Sequence, residues 1–256
     1  MSMEGKQVPN CVFKSKKRSI SLLDISTDKI FKGKKVVFFA LPGAFTPTCT
    51  MEQLPRYEQL AKLFIENGID EVVCLGVNDP FIMEKWGEDM HINEVRILAD
   101  GNAEFTKAMG MDIDLSGAGL GTRSKRYSMY VEDGVIKKMF IEDEGNPTGM
   151  SVSDADTMFK YLFPNKPAVP NIALIVQPGC PDCAKMKLML EEAKLPYEQL
   201  RYGYEVLGSM MKAITGESTF PQVFIDGKHI PSEIFMDGKS LKNSSNLLSK
   251  ILDHAK

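Results

Sequence analysis

The chain has 256 residues, room for one large domain or two ordinary ones, and its 25% charged and 43% hydrophobic residues have the balance of a globular protein. A net charge of -3 argues against a nucleic-acid binder, which needs a positive footprint. No apolar run reaches the length that spans a bilayer and the start, Met1 to Gln7, is polar, so a cytoplasmic protein with no membrane partner is expected.

Residues 3–31 read as short strands and turns, and Cys11 lies among them with nothing nearby to activate it. Val36 to Leu41 is an unbroken apolar run with the length and the β-branched and aromatic content of a strand buried on both faces. Pro42, Gly43, Ala44, Phe45, Thr46, Pro47, Thr48 and Cys49 follow, and then Tyr57, Leu60, Ala61, Phe64 and Ile65 at helical spacing up to Asn67-Gly68. Thr46 suits the N-cap and Pro47 the first helical position, because proline lacks only an N–H that has no partner there. Cys49 then falls in the first turn, where unpaired N–H groups and the helix dipole favour a thiolate. Position alone leaves an inert, buried thiol as an equal alternative. The stretch closely resembles the P-x-x-x-T-x-x-C signature of peroxiredoxins, and the Prx5-type branch in particular. The resemblance implies that Cys49 is a peroxidatic cysteine, that Thr46 orients the peroxide and that Pro42 shields the thiolate.

Glu71 to Val77 reads as a second core strand, in which burial keeps Cys74 inert. Asn78-Asp79-Pro80 is a turn into a helix, Arg96 to Ala99 a strand ending at Asp100-Gly101, and Ala103 to Met109 a short helix. Leu115 to Gly121 is glycine-rich but lacks the Lys-Ser/Thr ending of a phosphate loop, so it reads as a loop bordering the site. Alternation up to Val131, then Asp133-Gly134, then Val135 to Ile141 marks a β-hairpin. Prx5-type enzymes carry an arginine just before an aromatic-Ser-Met strand, and this resemblance points to Arg126 as the residue facing the thiolate, with Arg123 as the fallback. Many such enzymes also have a resolving cysteine after the hairpin. Aligning Gly145 to Ser153 with that segment puts Val152 there, which implies a one-cysteine peroxiredoxin dependent on an outside thiol.

Asp154 to Phe163 has helical spacing and closes the first unit. Three prolines within residues 164–170 cannot continue a helix and make a short, semi-rigid linker. Beyond it, Ile172 to Val176 reads as a strand, Pro178-Gly179 as a turn, and Cys180-Pro181-Asp182-Cys183 as the opening of an amphipathic helix from Ala184 to Ala193. Glu198 to Arg201 is a strand, Tyr204 to Ile214 a helix stopped by Gly216, Gln222 to Ile225 a strand turning at Asp226-Gly227, and Leu241 to Leu252 the last helix. A single C-x-x-C after the first strand suggests a thioredoxin-like fold and lacks the second half of a zinc ribbon, so redox use is expected and a metal is not. With Thr219-Phe220-Pro221-Gln222 it resembles glutaredoxin, whose Thr-x-Pro element carries a cis-proline beside the cysteine pair. There Phe220 and Pro221 would meet glutathione. Three positions depart from that pattern: Gln177 replaces a lysine, Asp182 an aromatic residue, and Pro231-Ser232 a Gly-Gly pair. Asp182 opposes a Cys180 thiolate, and Lys185 or Lys187 either offsets it or belongs to an exposed helix face.

The expected fold is α/β with two thioredoxin-like domains: a peroxiredoxin over residues 1–163, a linker over 164–170 and a glutaredoxin over 171–256. The resemblance implies a thiol peroxidase acting on hydrogen peroxide and organic hydroperoxides. Glutathione would be its reducing co-substrate, with no bound cofactor, and Cys180 and Cys183 would regenerate Cys49. It also implies a homo-oligomer, a dimer or a tetramer. Two rivals stand beside this reading: a peroxidase that draws on thioredoxin, and a peroxide-sensing interaction protein whose Cys49 oxidation alters partner binding.

Overall fold

The computed structural model describes residues 2–16, 22–143, 145–146, 149–238, 240–242 and 246–255. By its internal contacts the chain divides into two units, residues 1–167 and 168–256. Each is an open, twisted sheet with helices on both faces.

The first unit has the order β1 (Val12–Ser15), β2 (Leu23–Ser26), α1 (Thr27–Phe31), β3 (Lys35–Leu41), α2 (Leu54–Glu66), β4 (Glu71–Gly76), α3 (Pro80–Asp89), β5 (Arg96–Ala99), α4 (Glu104–Ala108) and a small ribbon of β6 (Asp112–Asp114) and β7 (Thr122–Ser124). A hairpin of β8 (Tyr127–Glu132) and β9 (Val135–Ile141) follows, and α5 (Ala155–Leu162) completes the unit. Seven strands lie in the order β2-β1-β5-β4-β3-β8-β9. β3, β4 and β5 run parallel, while β8 and β9 are antiparallel to their neighbours. The apolar run at β3 therefore sits centrally, and its alternate residues go to opposite faces. Val36, Phe38 and Ala40 pack with α1 and α4, where Phe38 meets Phe31, Phe105 and Tyr127. Phe39 goes the other way and stacks on Tyr57 of α2 at 3.9 Å between centroids, and Phe64 of α2 meets Phe159 of α5. Arg56 clamps the same two helices by a bidentate bond to Asp156, at 2.8 and 2.7 Å.

The second unit runs β10 (Ile172–Val176), α6 (Pro181–Glu192), β11 (Glu198–Arg201), α7 (Gly208–Thr215), β12 (Gln222–Ile225), β13 (Lys228–Ile230), α8 (Ser232–Phe235) and α9 (Leu247–Ala255). Its sheet order is β11-β10-β12-β13, with β11 parallel to β10 and the others antiparallel. Leu174, Met186, Leu190, Val223 and Ile251 form the core on the α6 and α9 side, and Ile175, Val206 and Met211 a smaller cluster under α7.

Strand positions match the sequence expectations closely, whereas three helix starts in the second unit differ. α6 begins at Pro181 and not Ala184, because Cys180 itself is the N-cap and accepts from the Cys183 N–H at 3.1 Å. Residues 204–207 are not helical: the N–H groups of Tyr204, Glu205 and Val206 all close on the Arg201 carbonyl, and the Glu205 carboxylate reaches back to the Arg201 guanidinium. The last helix begins at Leu247 and not Leu241, because Leu241 pairs with Met236 in a two-residue ladder turned by Gly238 at φ +63°.

The chain has one tryptophan, Trp86, buried in the first unit, so its fluorescence reports unfolding of that unit alone. Phe38→Ala leaves a cavity among three rings, and urea unfolding read from Trp86 is expected to show a loss of about 3–5 kcal/mol.

Candidate active site

Helical winding after β3 starts at Pro47, as expected, but the turn that carries the thiol is not an ordinary one. Cys49–Gln53 is a π-helix, closed by the Leu54 N–H onto the Cys49 carbonyl. Pro55 supplies the reason, since it has no N–H for the Met51 carbonyl and its ring crowds that oxygen, so the turn widens. Thr46 occupies the expected place without acting as a side-chain cap. Its hydroxyl donates to the Gly43 carbonyl at 2.8 Å, while its own carbonyl takes the Thr50 N–H at 3.0 Å. The hydroxyl thus tightens the Pro42-to-Thr46 turn.

Cys49 is fully buried. Arg126, at the foot of β8, is 2% exposed and donates from one nitrogen, Nη1, to the Cys49 sulfur at 3.4 Å and to Gln53 Oε1 at 2.6 Å. A buried guanidinium is stable only with partners, and here the partners are a thiol sulfur and an amide. Arg123 does something else: its Nη1 donates to the Pro42 carbonyl at 3.3 Å and its Nε to the Leu120 carbonyl at 2.9 Å. It ties the glycine-rich loop to the turn before Cys49, and it passes so close to Gly43 that a Cβ there would stand 2.4 Å from Nη1. Pro42 is buried beneath this clamp. Trp86 donates from Nε1 to the Thr50 hydroxyl at 3.2 Å, next in the chain to Cys49.

Two residues that no motif marks complete the first site. Gln53 is buried and donates to the Ser153 carbonyl at 3.5 Å, which also accepts the Tyr57 hydroxyl at 2.9 Å. Glu142, just past β9, gathers the segment that contains Val152: Oε1 accepts from the N–H groups of Ser151, Val152 and Ser153 and from the Ser153 hydroxyl, and Oε2 from the Ser151 hydroxyl, all within 2.9 Å. Burial by itself raises its pKa, but the Ser151 hydroxyl and the three backbone N–H groups outweigh burial and hold Glu142 at about 2. An acidic residue before a serine pair was the only local hint. Burial pushes the Cys74 thiol well up, with Cys49 adding to it, in line with an inert role. Cys11 is also raised, by burial first and then by Asp100 and Glu104.

In the second unit Cys180 is half-buried and Cys183 is 3% exposed. Burial, with the neighbouring Cys180 sulfur, pushes the Cys183 thiol up to about 12. The two members of the pair are therefore unequal: the outer sulfur is accessible and held by an N–H, and the inner one stays protonated. Asp182 pairs with Lys185 at 3.5 Å inside the helix, so Lys185 meets that charge. Lys187 lies with both cysteines along an open groove of about 690 Å³ that extends to Glu191, Gln199 and Arg201. The Phe220–Pro221 bond is cis, and Phe220 packs with Cys180 against the same core. Glu217 ties this element to Ser232, accepting from the Thr219 hydroxyl, the Gln222 amide and the Ser232 N–H at 3.1–3.2 Å.

Two sheet-and-helix units, each with a cysteine at a strand-to-helix junction, define a tandem thioredoxin-fold redox protein. Comparison with known proteins narrows the class. The redoxin family model matches residues 3–159 and the glutaredoxin model residues 172–230. The hybrid peroxiredoxin hyPrx5 of Haemophilus influenzae is 44% identical over 229 residues, 90% of this chain and 95% of that one. A peroxiredoxin of Synechocystis is 49% identical over 62% of this chain and 91% of its own. Among solved structures, reduced Prx3 of Vibrio vulnificus in complex with H2O2 (39% identity, TM-score 0.59) and the 1-Cys peroxiredoxin antioxidant protein of Plasmodium falciparum (31%, TM-score 0.60) cover 63% and 64% of this chain and 99% and 100% of theirs. The chain belongs to the redoxin family as a hybrid peroxiredoxin: a thiol peroxidase fused to a glutaredoxin, with glutathione-linked recycling. Among the described residues no helix is long and apolar enough to cross a membrane.

The low pKa of Glu142 links stability to pH. Its carboxylate contributes fully above its ordinary value of 4.5, and the contribution is lost as pH falls toward 2. Urea titrations at stepped pH are expected to show this acid-side loss in the wild type and its absence in Glu142→Gln.

Proposed function

We propose that Cys49 is the peroxidatic cysteine, that Arg126 and Thr46 serve it, and that Cys180 draws the oxidising equivalent out through glutathione. The observation that carries this reading is the Arg126 guanidinium bonded to the buried Cys49 sulfur. In the first step the Cys49 thiolate attacks one peroxide oxygen, so that an S–O bond forms and the O–O bond breaks. The leaving oxygen takes a proton and departs as water or an alcohol, and Cys49 becomes a sulfenic acid. Arg126 stabilises the negative charge that grows on that oxygen, an effect strongest in a site closed to water. Thr46 orients the peroxide and Pro42 shields the sulfur.

Glutathione then condenses with the sulfenic acid, releasing water and leaving a Cys49–glutathione disulfide. The Cys180 thiolate takes the glutathionyl group by thiol exchange and frees Cys49. A second glutathione attacks the Cys180–glutathione disulfide, freeing Cys180 and leaving as glutathione disulfide; where Cys183 displaces the first glutathione instead, the Cys180–Cys183 disulfide it forms is reduced by two glutathione molecules. Phe220 and Pro221 form the element that receives glutathione, with Glu217 bracing it where Pro231-Ser232 departs from the family. We assign residues 1–163 to the peroxiredoxin, 164–170 to the linker and 171–256 to the glutaredoxin, supported by the contact boundary at 167/168 and by the two family matches. A short linker favours delivery to a neighbouring subunit of a dimer or tetramer, and exposed Phe45, Met51 and Phe81 offer apolar surface for such assembly. The five free cysteines fit a reducing, cytoplasmic setting.

Steady-state peroxide consumption with glutathione tests the relay. Cys49→Ser is expected to abolish it, and Cys180→Ser to stop turnover while sparing a single oxidation of Cys49. Wild-type turnover in either variant would sink the corresponding assignment. Turnover with thioredoxin but not with glutathione would replace the donor. Arg126→Gln is expected to slow the oxidation of Cys49 by roughly 10²-fold or more, measured by rapid mixing.

A further inference from the structure

The Arg126 guanidinium is held on one side only. Nη1 carries both contacts, to Cys49 and to Gln53, and Nε is buried without a protein partner among the described residues. Its aim therefore depends on what fixes Gln53 and on what fixes the Arg126 backbone. Both lead to one residue. The Glu142 N–H donates to the Arg126 carbonyl at 3.1 Å, continuing the pairing of β8 and β9 past the end of the ladder. The Glu142 carboxylate knots residues 151–153, and the Ser153 carbonyl that emerges from the knot takes the Tyr57 hydroxyl at 2.9 Å and the Gln53 amide at 3.5 Å.

We propose that Glu142 is a positioning residue for peroxide reduction: its buried carboxylate fixes the 151–153 turn, which holds Gln53, which aims Arg126 at the Cys49 sulfur. The proposal rests on the reading of Cys49 and Arg126 given above. Five hydrogen bonds onto one carboxylate leave the turn a single arrangement, and a buried network of this kind acts as a unit.

Trp86 provides the readout, because its indole bonds to Thr50 beside Cys49 and it is the one tryptophan in the chain. The reduced full-length protein is mixed with hydrogen peroxide and the single oxidation of Cys49 is followed by Trp86 fluorescence, well below the thermal transition of each variant. Glu142→Ala is expected to slow oxidation about tenfold. Glu142→Gln, whose carbonyl still accepts the backbone N–H groups and whose amide still meets Ser151, is expected to stay within about threefold of the wild type. In a Gln53→Met background, Glu142→Ala is expected to add almost nothing, since the path it acts through is already cut. Wild-type oxidation by Glu142→Ala, or effects of the two substitutions that multiply, would overturn the proposal. Should Glu142→Ala fail to fold, Glu142→Asp, with its carboxylate drawn back by one methylene, is read by the same criteria. Arg126→Gln is run alongside: if it oxidises at the wild-type rate, the reading of the site fails, which is a different result from failure of Glu142 alone.

Discussion

Everything around the first site depends on keeping a guanidinium beside a sulfur in a place that water does not reach. A buried cation is costly unless its donors are used, and Arg126 uses Nη1 on Cys49 and Gln53. The sheet provides the first half of the solution. β8 lies next to β3, so the residue before β8 and the turn after β3 emerge at the same end of the sheet. The π-wound turn provides the second half, because widening it before Pro55 places Cys49 and Gln53, four residues apart, both inward. Chain direction, one missing N–H and one charge thus converge on a single sulfur.

The two units use the same junction differently. In the second, the cysteine that precedes the helix is the cap itself and remains accessible, while its partner three residues on is sealed in the core. In the first, the cysteine lies inside the turn and is sealed together with its cation. These differences suit the two roles proposed for the thiols. A small peroxide needs an enclosed site with preorganised charge, whereas exchange with a glutathionyl group needs an exposed sulfur and an inner thiol that does not compete.

Much of this was legible in the residues. The β3, β10 and β12 strands stand where apolar runs and turn residues place them, because burial on both faces leaves a nearly continuous apolar stretch that cannot be read in another phase. Helix starts were less legible. Tyr204 to Leu207 has helical composition, but three N–H groups converge on the Arg201 carbonyl and close a turn there first. Leu241 looks like the start of a helix and is instead held in a two-residue ladder. Thr46 stands where the sequence places it but does not cap the helix with its side chain, because its hydroxyl donates to the Gly43 carbonyl instead. Arg123 and Arg126, three residues apart, could not be separated by charge alone. Their separate duties follow from facing different partners.

By itself the sequence determined that there are two redox units joined by a proline-rich stretch, that each carries a thiol at the start of a helix, and that the family signature falls on Cys49, because these are local patterns of residue type and spacing. Only the tertiary structure decided what Arg126 and Arg123 each touch, that Gln53 stands between Arg126 and the 151–153 turn, and that Glu142 anchors the turn. The contacts of Arg126 with Cys49 and Gln53, and of Gln53 with Ser153, join residues some 70 to 100 positions apart, and no local periodicity carries information about groups that meet only after the sheet has formed.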